Sequence, residues 1–147
     1  MNGKIVDVLV AKPPKGLNMT IEETGFGNVL CMDFFLGRLF RHDPEMLRDI
    51  CEKYREMYQE SCERLDEDPE HQAYEVTNWN ELYEMIPIET SIVGDTFGLT
   101  NDQDWRIDFQ FEYRMVTGGP LVEKYGEPVF LFGPKEGCEP FECYREV

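Results

Sequence analysis

The sequence predicts one α+β domain over residues 1–147, with one long amphipathic helix packed on a mostly antiparallel sheet. Three observations lead there. From Asp43 onward, apolar residues recur with a helical period for about six turns. Residues 105–115 alternate strictly between apolar and polar. Hydrophobic residues make up 41% of the chain and aromatic residues 13%, enough for a packed core despite a formal net charge of -16.

In chain order, residues 4–11 (KIVDVLVA) are rich in Val and Ile and predict a strand. Pro13-Pro14-Lys15-Gly16 predicts a loop, and Met19–Glu23 a second strand. Gly25-Phe26-Gly27-Asn28 predicts a turn before a third strand at 29–33. Phe35, Leu36, Leu39 and Phe40 repeat with helical spacing, which predicts a short helix from about Asp33 to Arg41.

The long helix has the clearest start: Asp43 as N-cap, Pro44 at the first helical position and Glu45 in the first turn. Its apolar face is predicted from Leu47, Ile50, Cys51, Tyr54, Met57, Tyr58, Ser61, Cys62 and Leu65. Residues 66–75 are polar, contain Pro69 and predict a loop. Asn78 is placed to cap a short helix through Met85, stopped by Pro87.

The second half predicts sheet. Residues 88–100 suggest a hairpin around Gly94-Asp95. In 105–115, Trp105, Ile107, Phe109, Phe111, Tyr113 and Met115 fall on one face, and Arg106, Asp108, Gln110, Glu112 and Arg114 on the other. Gly118-Gly119-Pro120 predicts a turn and Pro128–Phe132 another strand, leaving Cys138, Phe141, Cys143 and Tyr144 in the tail.

Charge gives the one functional lead. Residues 65 to 105, 41 positions, contain no Lys or Arg and hold 11 carboxylates. On the long helix, Glu45, Asp49, Glu52, Glu56, Glu60, Glu63 and Glu67 follow steps of three and four, forming a stripe opposite the apolar face. The stripe costs stability, because Glu52–Glu56, Glu56–Glu60 and Glu63–Glu67 are like-charge pairs one turn apart, each unfavourable by a few tenths of a kcal/mol. A charged helix face can be simply a solvated one. Here the stripe runs into the cation-free block, and such a one-signed field attracts cationic surfaces and repels nucleic acid.

Signals for chemistry are weak. Ser61 and Ser91 are the only serines, and neither lies in a G-x-S-x-G elbow. Cys31, His42, Cys51, Cys62, His71, Cys138 and Cys143 lack a paired zinc spacing, so Cys51 and Cys62 read as core thiols. Asn101-Asp102-Gln103-Asp104 lacks the glycine and closing glutamate of a calcium loop. No catalytic residue, metal or cofactor is assigned. Five widely spaced cysteines, with an N-terminal apolar run too short and charged for a signal peptide, suggest reduced thiols in a cytoplasmic protein. No stretch reaches transmembrane length.

In charge alone, and in no matched motif, the chain resembles the DNA-mimic inhibitors that phages and mobile elements direct against restriction and CRISPR systems. The function expected on that analogy is a non-enzymatic acidic protein that blocks the basic nucleic-acid-binding surface of a partner protein, with no direct nucleic-acid or membrane contact. Glu52, Glu56, Glu60, Glu63, Asp66, Glu67, Asp68 and Glu70 are the expected charged centre, with Tyr74 and Trp79 as hydrophobic anchors. The alternative is a small-molecule binder or small enzyme with a pocket between helix and sheet. Homo-oligomerisation through an edge strand is compatible with either.

Overall fold

A computed structural model describes residues 21–70, 72–103 and 105–142. The predicted strand at 4–11 and the Pro13–Gly16 loop lie outside these residues. So do His71, Asp104, Cys143 and Tyr144.

The described residues form two sheets. Strands β1 (Glu22–Glu23), β2 (Val29–Asp33), β3 (Arg38–His42), β6 (Phe111–Val116) and β7 (Val129–Pro134) form the larger, in the order β1-β3-β2-β7-β6. Strands β4 (Glu75–Asn78), β5 (Phe97–Thr100) and β8 (Phe141–Glu142) form the smaller, in that order. Four of the six described pairings are antiparallel; β1 with β3 and β2 with β7 run parallel. The helices are α1 (Pro44–Asp66), α2 (Trp79–Met85), α3 (Ile92–Thr96) and α4 (Pro120–Tyr125). The α+β class, with one long helix and mostly antiparallel pairing, is as the sequence predicts.

Helix α1 forms where its cap says it should. The Asp43 side chain accepts from the Glu45 N–H, and Pro44 lacks the N–H that a first-turn residue would leave unpaired. Its buried residues Leu47, Cys51, Tyr54, Tyr58 and Cys62 pack with Cys31, Phe40, Phe130 and Phe132 from one face of the larger sheet. The opposite face buries Leu30, Met32, Leu39, Val129 and Leu131 with Leu121 of α4. Every residue of β7 is buried, as expected of an inner strand covered on both sides.

Three expectations are corrected. Residues 33–41 are not helical: β2 and β3 form a hairpin across Phe34–Gly37. The Asp33 carboxylate accepts from the Phe35 and Leu36 N–H groups, and Gly37 supplies φ +82°. The 88–100 hairpin is instead α3, capped by Ser91, followed by β5, which pairs with β4 and β8. Strand β6 begins only at Phe111; residues 105–108 turn, with Arg106 N–H bonded to Gln103 O and Asp108 N–H to Trp105 O, and Ile107 is 72% exposed. The predicted turn at Gly118–Gly119 is present and leads into α4, a helix not among those expected from the sequence.

A buried polar centre ties the layers together. Asp33, fully buried, accepts from Trp79 Nε1 at 2.7 Å and Tyr83 OH at 2.6 Å. It thereby fixes α2 to the end of β2. Arg38 lies over the Tyr83 ring and pairs with Glu22. Tyr54 and Tyr58 donate to the Asn78 and Thr100 carbonyls, joining α1 to the smaller sheet.

Candidate interaction surface

The stripe of α1 divides in two. Glu45, Asp49, Glu56, Glu60, Glu63 and Glu67 are exposed, opposite the buried face. Among the described residues, Glu56, Glu60, Glu63 and Glu67 form no ion pair. Glu52 is different. It accepts from Tyr113 OH at 2.7 Å and Arg55 Nε at 2.8 Å. Burial opposes its ionisation, but these donors prevail and hold its carboxyl below the usual range. Asp66 is also engaged, with both oxygens on the Arg106 guanidinium.

Beyond the helix, Asp68 and Glu70 are exposed on a turn that the Asp68 carboxylate closes by accepting from the Glu70 N–H. Tyr74 is 42% exposed and lines one hollow with Asp68. Trp79 is not a surface anchor. It is fully buried, its indole N–H bonded to Asp33 and its ring packed on Tyr54 and Phe111. An indole at that depth needs an internal acceptor, and Asp33 provides it.

Part of the cation-free block folds into a furrow beside the end of α1, and the exposed acids of the helix stripe are not in its walls. A hollow of about 420 Å³ runs from Ser61, Arg64 and Asp68 to Tyr74, Glu75 and Val76. A second, of about 770 Å³, continues from Glu75 and Val76 along β4 to Glu81, Glu84 and Asp95. Among the described residues, Arg64 is the one cation in their walls. The second hollow owes its shape to local capping. Asn78 and Glu81 form a reciprocal capping box at the start of α2. The Asn78 amide also donates to Asp95, and Asn80 clasps Ser91 through both its N–H and its carbonyl.

A third hollow, about 330 Å³, adjoins at Glu84 and is apolar, lined by Phe26, Met46, Ile50, Met85 and Pro87. Phe26 stacks on His42, and both ring nitrogens of His42 are bonded, Nδ1 accepting from the Asp43 N–H and Nε2 donating to the Ile86 carbonyl. Periodicity could not reveal the furrow, because β4, α2 and α3 build it by tertiary packing. Its one local sign was the Asn78-x-x-Glu81 capping pattern.

Cys31, Cys51 and Cys62 are poor nucleophiles. Burial pushes Cys31 up to about 12 and raises Cys51 and Cys62 as well. Among the described residues, no three His, Cys, Asp or Glu side chains are grouped as metal ligands would be. The space between α1 and the sheets is filled by Tyr54, Tyr58, Trp79, Phe109 and Phe111, so these hollows open on the surface. No described helix is long and apolar enough to cross a membrane. Comparison with protein-family models, curated proteins and solved structures finds no match.

Proposed function

We propose that this chain is a non-enzymatic binding protein that occupies the basic, nucleic-acid-binding surface of a partner protein and so excludes nucleic acid from it. One observation carries the proposal: Glu56, Glu60, Glu63 and the C-cap Glu67 are exposed on one side of the 23-residue helix, without internal ion pairs among the described residues, and an acidic furrow opens beside the end of that helix. Carboxylates held at about one-turn intervals, roughly 5 Å, offer Lys and Arg the charge-assisted hydrogen bonds that phosphates offer. The furrow adds Glu75, Glu81, Glu84 and Asp95. With Trp79 buried, Tyr74 and the apolar hollow around Met46 and Met85 are the anchors this function would use.

The test is capture of partners from a cytosolic extract at low salt, with wild type beside a variant carrying Glu56→Lys, Glu60→Lys and Glu63→Lys. Wild type is expected to retain a nucleic-acid-binding protein that is released by high salt and displaced by DNA or RNA, and the variant is expected to retain none. A partner held equally by both proteins would rule out this surface. Since all three positions are exposed, the variant should keep the wild-type circular dichroism spectrum.

A further inference from the structure

The larger sheet has two edges, and they differ in kind. At one end β1 is two residues long, both glutamates, with Glu22 held by Arg38 and Glu23 by Arg41. Short, charged edges resist further pairing. At the other end β6 is six residues long, Phe111–Val116, and among the described residues no strand pairs with its outer side.

Which backbone groups β6 presents follows from its pairing with β7. Lys135 N–H donates to the Gln110 carbonyl, and the Phe132 carbonyl is turned to Phe34 N–H on the far side of β7. Tyr113 lies opposite Phe132 in the register. Antiparallel pairs alternate, so Glu112 and Arg114 bond inward to β7 while Phe111, Tyr113 and Met115 point their N–H and C=O groups outward.

We propose that β6 is a homodimer edge, pairing antiparallel with β6 of a second copy, centred on Tyr113. The outward groups permit only registers that join Phe111, Tyr113 and Met115 among themselves. Charge selects among these. Sliding toward the N-terminus puts Glu112 opposite its own counterpart, and sliding toward the C-terminus does the same to Arg114. Like charges directly opposite are unfavourable. With Tyr113 opposite Tyr113, each Glu112 faces the other copy's Arg114 in the non-hydrogen-bonded sites, where side chains approach most closely. Arg114 is exposed, and Glu112 is half-buried, its Oε1 accepting a long 3.4 Å contact from Glu136 N–H. Both charges lie on the sheet face away from Phe111 and Tyr113, the face opposite α1. Met115, 43% exposed, then falls against Phe111 of the second copy.

The experiment is sedimentation velocity on the full chain over a range of concentrations, at moderate ionic strength so that repulsion between two copies of charge -16 is screened. Wild type is expected to show a concentration-dependent dimer. Arg114→Glu places like charges opposite each other twice and should give a monomer, and the double exchange Glu112→Arg with Arg114→Glu should restore the dimer. Met115→Pro removes an outward N–H without touching the ladder to β7, and should also give a monomer. A wild-type monomer at all concentrations, or a dimer indifferent to both Arg114→Glu and Met115→Pro, would overturn the proposal.

Discussion

Replacing Asp33 with alanine is the most demanding test of how the core is held. Its Oδ2 takes Trp79 Nε1 at 2.7 Å and Tyr83 OH at 2.6 Å, and its Oδ1 takes Phe35 N–H at 2.8 Å. Trp79 and Tyr83 are fully buried, so no water replaces the lost acceptor. Each orphaned buried donor costs about 1–3 kcal/mol. Against this stands the burial cost of the carboxylate itself, which the mutation removes; desolvation raises the carboxyl above its usual range despite four donors. With two neutral donors orphaned and the carboxylate's own burial relieved, the net loss should be about 2–4 kcal/mol. That is a large fraction of the stability of a typical domain, about 5–15 kcal/mol. Asp33→Asn keeps the shape and one acceptor but turns an NH₂ toward donors, and should lose less than Asp33→Ala. Urea unfolding followed by tryptophan fluorescence measures both, with the urea slope unchanged if only stability moves. A loss below about 1 kcal/mol for Asp33→Ala would refute this account of the centre.

The same carboxyl sets a pH signature. Its folded-state pKa is raised, so its stabilising contribution is fully present below the unfolded pKa and declines as pH rises through the folded one. Glu127, held low by Arg41, and Glu52, held low by Tyr113 and Arg55, act oppositely and lose their contribution as pH falls. Asp33→Asn deletes only the first effect, so between about pH 7 and pH 4 the variant should lose stability on acidification more steeply than wild type in urea titrations. Gly94→Ala would drive a methyl group into the Asn80 side chain and open its clasp on Ser91, for a loss of about 1–3 kcal/mol by the same assay. Cys31 and Cys51, both fully buried with raised thiol pKa values, should stay unmodified by an aqueous thiol reagent in the native protein and react once urea unfolds it, as mapped by mass spectrometry.

Local signals were readable where local physics decides the outcome. Asp43-Pro44 and the 3.6-residue period fix α1 almost to the residue, and Asn78 caps α2 as its spacing to Glu81 suggests. The 33–41 segment misleads for a tertiary reason. Its strands are covered on both faces, so adjacent apolar residues such as Leu39 and Phe40 are both buried and their spacing imitates a helix. Gly37, required at positive φ, was the contrary sign. Trp79 misleads similarly. Polar neighbours suggest a surface position, while its burial is set by Asp33, 46 residues earlier. Of the expected charged centre, Glu56, Glu60, Glu63, Glu67, Asp68 and Glu70 are exposed. Glu52 and Asp66 are tied to Arg55 and Arg106; the first is an i,i+3 pair that the helix period contains, and the second joins residues 40 apart, which a helical wheel does not show.

Those ties bear on how the net charge is displayed. Arg38 is buried against Glu22 and Tyr83, Arg41 grips Glu127, Arg48 lies over Tyr113, and Arg55 and Arg106 hold Glu52 and Asp66. Much of the basic complement is thus engaged in holding the fold together, and the carboxylates it neutralises are mostly not those of the outer stripe. The outer stripe is therefore more one-signed than the composition suggests. Along α1 it offers about one charge per 5 Å, against one per 3.4 Å along a single strand of duplex DNA. The helix alone falls short of a phosphate backbone by about a third. A basic groove would be filled only by stripe and furrow together, which makes Glu75, Glu81, Glu84 and Asp95 as consequential for binding as the helix. Neutralising those four to amides should then weaken the salt-sensitive capture of a partner nearly as much as reversing Glu56, Glu60 and Glu63. Capture unaffected by the amides would confine the contact to α1 and leave its charge density too low to imitate a nucleic acid.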